Sequence, residues 1–394
     1  MSLTTNNLTY ARFAHLIGWW DVHPLPPSIP TDYSNPNTFG RISAWGYGTV
    51  LESTLTGPEA SAIPVGTQIY GYLPIGTLPV DMHVEVCKTV PGQFFEISEE
   101  RSKLMPIYNR YMFYPPTTTA EEKQSQGIDS LCQVMFETGY MMNRFIFAWD
   151  PEELAQPGAE LGEDDSVKPW KVEDAQIGAD TVMLLFAASG KTALAFAHEL
   201  KHARPAWSKP GRVVAVGSDS SRAFTEGTGL YDKILKYDAD STSDLATELG
   251  LNANSKIVIC DFGSRGAAAN RWAEILKQTY KNVIYLGIGG EVVADTPEKT
   301  TEKFMARVTS MMIQVNASGL RSQAMKILGE KKYFEDFLKE WKLHKERGGF
   351  HGLRLVWGEG MEAVGKGWEK IYKGEVGPDE GMVFALNGKK LGKL

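Results

Sequence analysis

The 394-residue sequence has little cysteine: Cys87, Cys132 and Cys260 are its three. An odd, scattered set gives no disulfide framework and points to a reducing, cytoplasmic setting. Their spacing matches no zinc ligand set, so no metal is expected. No apolar run reaches the ~20 residues of a membrane-spanning helix. The N-terminus lacks a basic segment leading into an apolar core, so no signal peptide is visible and no membrane partner is expected. No repeat period appears. A cationic excess is missing too. The formal net charge is −7, which argues against broad nucleic-acid binding. What remains is a globular chain long enough for two domains of ~150 residues each, with a small molecule as its partner and a homodimer left open.

The most informative stretch is 181–218. Thr181–Phe186 is an apolar run of strand length, and 187–190 is a turn of small residues. Lys191–His202 is apolar at Ala193, Leu194, Ala197 and Leu200, which is helical spacing. Pro210-Gly211 then breaks the chain, and Arg212–Val216 is a second apolar run. Together these predict strand, tight turn, helix and strand, with both strands buried in a parallel sheet. The turn gathers backbone N–H groups and the positive end of a helix dipole, which suits a phosphate.

Two phosphate readings compete there, beside a βαβ unit without a ligand. Gly190-Lys191-Thr192 could end a P-loop. That motif needs a glycine five residues before Gly190, where Leu185 stands inside the strand. A dinucleotide needs small residues where backbone approaches a pyrophosphate, and Ala187, Ala188, Ser189 and Gly190 supply them, although the strict GxGxxG is absent. Lys191 is then expected to point to solvent or to the pyrophosphate. Ser218, Ser221 and Arg222 follow the second strand, where such a fold meets the adenosine ribose. Hydroxyls and an arginine there favour NADP; Asp219 keeps NAD open.

Along the rest of the chain, residues 1–150 predict mostly strands and long loops. The prolines at 24, 26, 27, 30 and 36 bar regular structure across 23–37. Strands are expected at Thr49–Ser53, after a turn-prone Trp45-Gly46-Tyr47-Gly48, and at Gln68–Leu73 and Met82–Lys88. A helical stretch covers 128–147. The tyrosines 108, 111, 114 and 140 are the kind that usually lie in a core with a hydrogen-bond partner. A solvated acidic loop at 151–175 holds a domain boundary. Helices at 221–228, Leu245–Leu249 and 265–279, the last capped by Ser264, alternate with strands at Lys233–Tyr237, Lys256–Cys260 and Asn282–Leu286. This predicts an open, doubly wound sheet of five strands, whose ligand lies outside the strand carboxyl ends. Residues 301–347 are expected to be helical, with Met305, Met311, Met312 and Met325 as gap-filling core. Glu362–Tyr372 is expected as a helix and Met382–Leu386 as a strand.

Three groups of residues carry a family resemblance. The first is Asn6 to Ala11, with Trp45-Gly46-Tyr47-Gly48 and Gly66 to Pro74. The second is Ala188 to Ala193, with Glu226 to Asp232 and Lys236-Tyr237-Asp238. The third runs from Glu362-Ala363 to Phe384. On these the chain resembles the zinc-free, quinone-reductase-like medium-chain dehydrogenase/reductases, and within them the DUF2855 family. The resemblance implies an α/β fold in which a Rossmann doubly wound parallel sheet is inserted in a GroES-like β-barrel domain. It implies segments 1–160 (GroES-like, catalytic), 161–315 (Rossmann) and 316–394 (return to the catalytic domain), with NADP in the cleft. The pyrophosphate would lie at Ser189, Gly190, Lys191 and Thr192, and the 2′-phosphate near Ser218, Ser221 and Arg222. Tyr237 would lie beside the adenosine, and the nicotinamide near Gly263 and Gly287 to Gly289. An asparagine of the family falls on Asn6 or Asn7. Only five residues precede Asn6. Relatives carry more chain there, so either the barrel is trimmed and opened at its start or the gene model is short.

The function this implies is NADPH-dependent reduction of a carbonyl or activated C=C in a small aromatic or polyketide-like molecule. Hydride transfer is the cofactor's chemistry. Without zinc, the developing charge needs a hydrogen-bond or proton donor. Tyr10, Tyr47 and Tyr108 are the candidates, Tyr10 first because it stands in the Asn6–Ala11 motif. A lyase, isomerase or cyclase working by acid–base chemistry in the same cleft stays open. So does a non-enzymatic NADPH-binding protein.

Overall fold

A computed structural model describes every residue except 58–62, 118, 159–169, 240–244, 294, 309–311 and 387–394. The acidic residues at 160 and 163–165 and Met311 therefore lie outside the described residues.

The chain starts with a short strand β1 (Ser2–Leu3) and a helix α1 (Thr5–Ile17). This helix departs from the strand-and-loop expectation. Its start is a reciprocal cap: Asn6 N–H donates to Thr4 Oγ1 at 3.2 Å, and Thr4 N–H donates to Asn7 Oδ1 at 2.7 Å. Asparagine here does what glutamate does in the usual capping box. Five strands follow: β2 (Ser43–Thr49), β3 (Gln68–Pro74), β4 (Val84–Val86), β5 (Gln93–Glu96) and β6 (Arg110–Tyr114). They form an antiparallel sheet in the order β2-β3-β6-β5-β4. Its edge strands are β2 and β4. The expected strand at 49–53 is corrected to β2, which contains the supposed turn 45–48. Gly46 is in the strand for space: a Cβ there would lie 2.4 Å from Met1 Cα. Glycine inside a strand often marks such an approach.

The helix α2 (Ala120–Met141) runs on into a π-helical turn, Met142–Ile146. Next comes the alternation β7 (Thr181–Phe186), α3 (Lys191–His202), β8 (Arg212–Gly217), α4 (Asp219–Gly227), β9 (Lys233–Lys236), α5 (Leu245–Leu249), β10 (Lys256–Phe262), α6 (Ala268–Thr279), β11 (Val283–Gly289), α7 (Pro297–Val308) and β12 (Ile313–Gln314). Its strands make one six-stranded sheet, β9-β8-β7-β10-β11-β12, with every pair parallel. That is the doubly wound dinucleotide-fold order, with the reversal between β7 and β10. The sixth strand, β12, interrupts the helical run expected over 301–347.

β7 is buried along its whole length, and its two faces meet different cores. Met183 and Leu185 pack with Phe136 of α2 and Leu194 and Phe196 of α3. Val182, Leu184 and Phe186 pack with Trp272 of α6. A strand covered on both faces needs the unbroken apolar run that the sequence shows. Met312 and Met325 pack against these cores, whereas Met305 is 55% exposed and fills no gap.

The last segment holds α8 (Ala317–Leu328), α9 (Glu330–Glu346), β13 (Arg354–Glu359), α10 (Gly360–Lys373) and β14 (Glu380–Ala385). β14 lies between β1 and β13, so the two ends of the described chain share one small sheet. Cys87, Cys132 and Cys260 are all buried free thiols. Among the described residues no helix is long and apolar enough to cross a membrane.

Candidate functional site

At the reversal of strand order, the turns after β7 and β10 lead to opposite faces of the sheet, the place where such sheets have their ligand crevice. The turn after β7 is the best-built part of it. Ala187 has φ 55°, left-handed backbone that a residue with a Cβ adopts rarely. Three contacts hold it there. Gly190 N–H donates to Ala187 C=O at 2.9 Å. The Tyr231 hydroxyl donates to Ala188 C=O at 2.7 Å. The Tyr237 hydroxyl accepts from the Ala187 N–H. Strain of this kind persists only where the surroundings enforce it, and it gathers at functional turns.

Gly190 is the N-cap of α3 and brings no side-chain cap. The first N–H groups of that helix have no partner within it and are left for a ligand. A Cβ on Gly190 would meet a single atom, Ala187 O at 3.1 Å, so on its outer side the cradle is open. A pyrophosphate fits this turn. A P-loop does not, because Leu185 is fully buried in β7 and the loop is only the four residues 187–190.

Lys191 is half-buried at the start of α3 with Cys132 of α2 nearby, and burial lowers its pKa. The thiol is itself pushed up to about 12 by burial. The reason is the close packing of α2 on α3. At Gly139, a Cβ would lie 2.6 Å from Phe196 N, and long side chains at the start of α3 have α2 as their wall.

After β8, Ser218 is the N-cap of α4. The Ser218 and Ser221 hydroxyls lie 3.2 Å apart, and Ser221 Oγ donates to Ser218 C=O at 3.0 Å. Asp219 closes an exposed ion pair of 2.8 Å with Lys236 at the end of β9. Arg222 is about half exposed and bonded to Glu226 at 2.8 Å, so a phosphate has to draw it from that partner. Tyr237 stacks on Phe186 at 6.4 Å beside the turn, and burial pushes its pKa up to about 12. Arg265, which sequence reasoning missed, acts on the Tyr237 hydroxyl by charge. Its signal was its place just after the third strand end of the crevice.

The glycines at the nicotinamide end have another explanation. Gly263 has φ 118°, and a Cβ there would lie 2.5 Å from Gly290 O; one on Gly289 would lie 2.3 Å from Phe262 O. The loops after β10 and β11 touch, and only glycine fits between them. Asp261 Oδ1 ties the first loop down by accepting from Gly263 N–H at 2.9 Å and Ser264 N–H at 2.6 Å. Gly287 is corrected from a groove residue to a buried strand residue, paired with Asp261 on one side and Gln314 on the other.

α1 reaches this edge through Arg12, whose Nη1 donates to Val293 C=O at 2.8 Å and lies 3.6 Å from Asp295 Oδ2. Asn7 on the same helix is committed on both sides. Its Oδ1 caps Thr4, and its Nδ2 donates to Ser43 C=O at 2.8 Å. Asn7 is therefore a tether between α1 and β2, and Asn6 is the less buried of the two.

The three candidate tyrosines are gathered on one side of the antiparallel sheet. Tyr10 and Tyr108 pack edge to face at 5.9 Å, with Trp19, Trp45 and Tyr72 around them. Tyr108 and Tyr10 have each other as polar neighbours, and burial raises both pKa values. Tyr47 donates to Asp129 Oδ2 at 2.8 Å, and burial, then Asp129, raises its pKa. Asp129 Oδ1 also accepts from Trp341 Nε1 at 2.8 Å and Lys345 Nζ at 2.7 Å. All three tyrosines are neutral hydrogen-bond donors at ordinary pH. Among the described residues no three histidine, cysteine, aspartate or glutamate side chains converge as a metal site.

The profile of the family described as "Protein of unknown function (DUF2855)" matches residues 1–377, and the chain belongs to that family. No curated protein matches the sequence. Among solved structures, the CurK enoyl reductase is 11% identical at a TM-score of 0.48, over 98% of this chain and 88% of that one. A mutant form of enoyl thioester reductase from Candida tropicalis is 10% identical at 0.44, over 91% and 84%. CurA from Vibrio vulnificus, in complex with NADPH, is 11% identical at 0.39, over 92% and 93%.

Proposed function

We propose that this DUF2855 member is a medium-chain-type, NADPH-dependent reductase of a carbonyl or activated C=C in a small, aromatic or polyketide-like molecule. The observation that carries the reading is the strand-order reversal, with a strained turn and an uncapped helix N-terminus beside it. In this reading Ser189, Gly190 and Thr192 hold the pyrophosphate with their backbone. Ser218, Ser221 and Arg222 take the 2′-phosphate, with Asp219 paired to Lys236. Tyr237 lies along the adenosine. Residues 1–160 form the substrate side, 161–315 the cofactor side, and 316–394 return to the first. NADPH, when bound, supplies the hydride. The chain's part is to orient the cofactor, exclude water with the aromatic wall of Tyr10, Trp19 and Tyr108, and offer a hydroxyl hydrogen bond to the developing oxyanion.

One observation favours a second reading. The Tyr47 hydroxyl is already bonded to Asp129, and the Tyr10 and Tyr108 side chains pack against each other in a buried cluster. That suits a protein which binds NADPH without turning it over. The test is a pair of measurements on the same sample: NADPH and NADH affinity by titration, then NADPH consumption against a panel of enones, quinones and aromatic ketones. Tight NADPH binding with turnover supports the reductase. Tight binding with no consumption supports the binding protein. No dinucleotide binding overturns both.

A further inference from the structure

Away from the crevice, a small space lies where β2, β3, β6, α2 and α8 meet. Trp45, Tyr70, Gln133, Val134, Glu137 and Arg321 are among its lining residues, and its volume is about 10 Å³. That is room for about one water. Three of these residues each turn up a polar atom with no hydrogen bond: Trp45 Nε1, Gln133 Oε1 and Arg321 Nε. The residues are only 6%, 2% and 6% exposed, so solvent at the surface cannot serve them. The Trp45 N–H has the Tyr10 hydroxyl as a polar neighbour but is not aligned on it.

The rest of each polar group is engaged. Gln133 Nε2 donates to Met112 Sδ at 3.7 Å. The Arg321 Nη2 donates to Glu137, whose other oxygen accepts from the Tyr333 hydroxyl at 2.7 Å. The Tyr70 hydroxyl donates to Asp129 C=O at 3.2 Å. The residues lining the cavity therefore leave two N–H donors and one carbonyl acceptor without a partner. Left unsatisfied, buried atoms of this kind are expensive, and three around one cavity call for a shared partner.

The donor set selects the partner. A carboxylate or phosphate would face the Gln133 oxygen and Glu137. An ammonium would face the Arg321 guanidinium. The charges near the cavity are already paired, Arg321 with Glu137 and Arg110 with Glu330, so no net field draws in an ion. A neutral hydroxyl oxygen accepts from both N–H groups and donates to the carbonyl.

We propose that this cavity is a binding site for one neutral hydroxyl oxygen, from solvent water or from the hydroxyl of a bound small molecule. The site stands on these residues alone and does not depend on the cofactor reading. It is tested with crystals of the full chain in three states: untreated, soaked in methanol, and under xenon pressure. Oxygen density within hydrogen-bonding distance of Trp45 Nε1, Gln133 Oε1 and Arg321 Nε is expected in the untreated crystal. In methanol, an unchanged peak assigns the site to water, and a peak lengthened by a methyl group assigns it to ligand hydroxyls. Xenon in the untouched cavity, or no density in it, overturns the proposal. In Gln133→Leu the oxygen should be lost, whereas oxygen at full occupancy there also overturns it. If that variant does not fold, Trp45→Phe removes one donor with little change of shape and carries the same test.

Discussion

Replacing Gly190 by valine separates the cofactor site from the fold. Gly190 has φ −67° and ψ 141°, extended backbone in which a β-branched residue is comfortable. A Cβ meets only Ala187 O at 3.1 Å, which a small shift relieves. Neither conformation nor packing requires glycine at 190, so its smallness serves whatever approaches the first N–H groups of α3. Stability should change by no more than about 1 kcal/mol, and the lower entropy of the unfolded variant works in its favour. Affinity should change far more. Each charge-assisted bond from a backbone N–H to a pyrophosphate oxygen is worth about 1.5–3 kcal/mol. Displacing the phosphate from two of them removes on the order of 3–6 kcal/mol, or roughly a hundred- to ten-thousandfold in Kd. Urea unfolding reads the first quantity and calorimetric titration with NADPH the second. A variant that unfolds at the wild-type midpoint and binds NADPH as tightly as wild type refutes this turn as the pyrophosphate site. A variant that has lost its fold refutes the premise that Gly190 has no packing role.

Arg222→Ala should weaken NADPH by about 1 kcal/mol and leave NADH unchanged, a modest effect because the side chain is half exposed and starts bonded to Glu226. Equal loss for both cofactors in titration removes Arg222 from the 2′-phosphate. Lys191→Met should leave the urea midpoint unchanged or raise it, since burial already disfavours the ammonium; a lower midpoint would mean that the charge has a partner in the fold. The pH dependence of stability follows from the buried cluster of α3 and α9. Burial, then Arg347, lowers His198 to about 4, and burial, then His198 and Arg347, lowers His344 to about 3, from an ordinary 6.5. Their contribution is whole above pH 6.5 and is lost as pH falls through the folded values, by about 1.4 kcal/mol per pH unit for each histidine. Burial, then Glu340, raises Glu199 to about 8 from 4.5, so its contribution is whole below pH 4.5 and is lost as pH rises through 8. Two histidines outweigh one glutamate below pH 6.5, so Tm measured across pH should peak near neutrality and fall on both sides. A Tm that keeps rising on acidification contradicts the buried neutral histidines.

What the sequence made legible was local, and what it hid was set from afar. The strand Thr181–Phe186 is covered on both faces, so every position is apolar and the run announces itself. The uncapped turn at 187–190 is legible for the same reason, since its small residues and the helix after it are neighbours in the chain. β12 is only Ile313–Gln314 and is a strand because β11 pairs with it, so it carries no period of its own. In β2 the cause is also distant. Glycine at 46 and 48 looks like a turn until Met1 is seen against Gly46. The tyrosines show the limit most clearly. Their sequence context marks them as a group, but the state of Tyr47 is decided by Asp129, and Asp129 is fixed by Lys345, 216 residues further along. Whether such a hydroxyl is free to serve chemistry is a property of α2 and α9 packing together, and no spacing within 1–150 encodes it. Lys191 makes the same case from the cofactor side: its neighbours in sequence point it at a phosphate, and the packing of α2 on α3 half-buries it near Cys132.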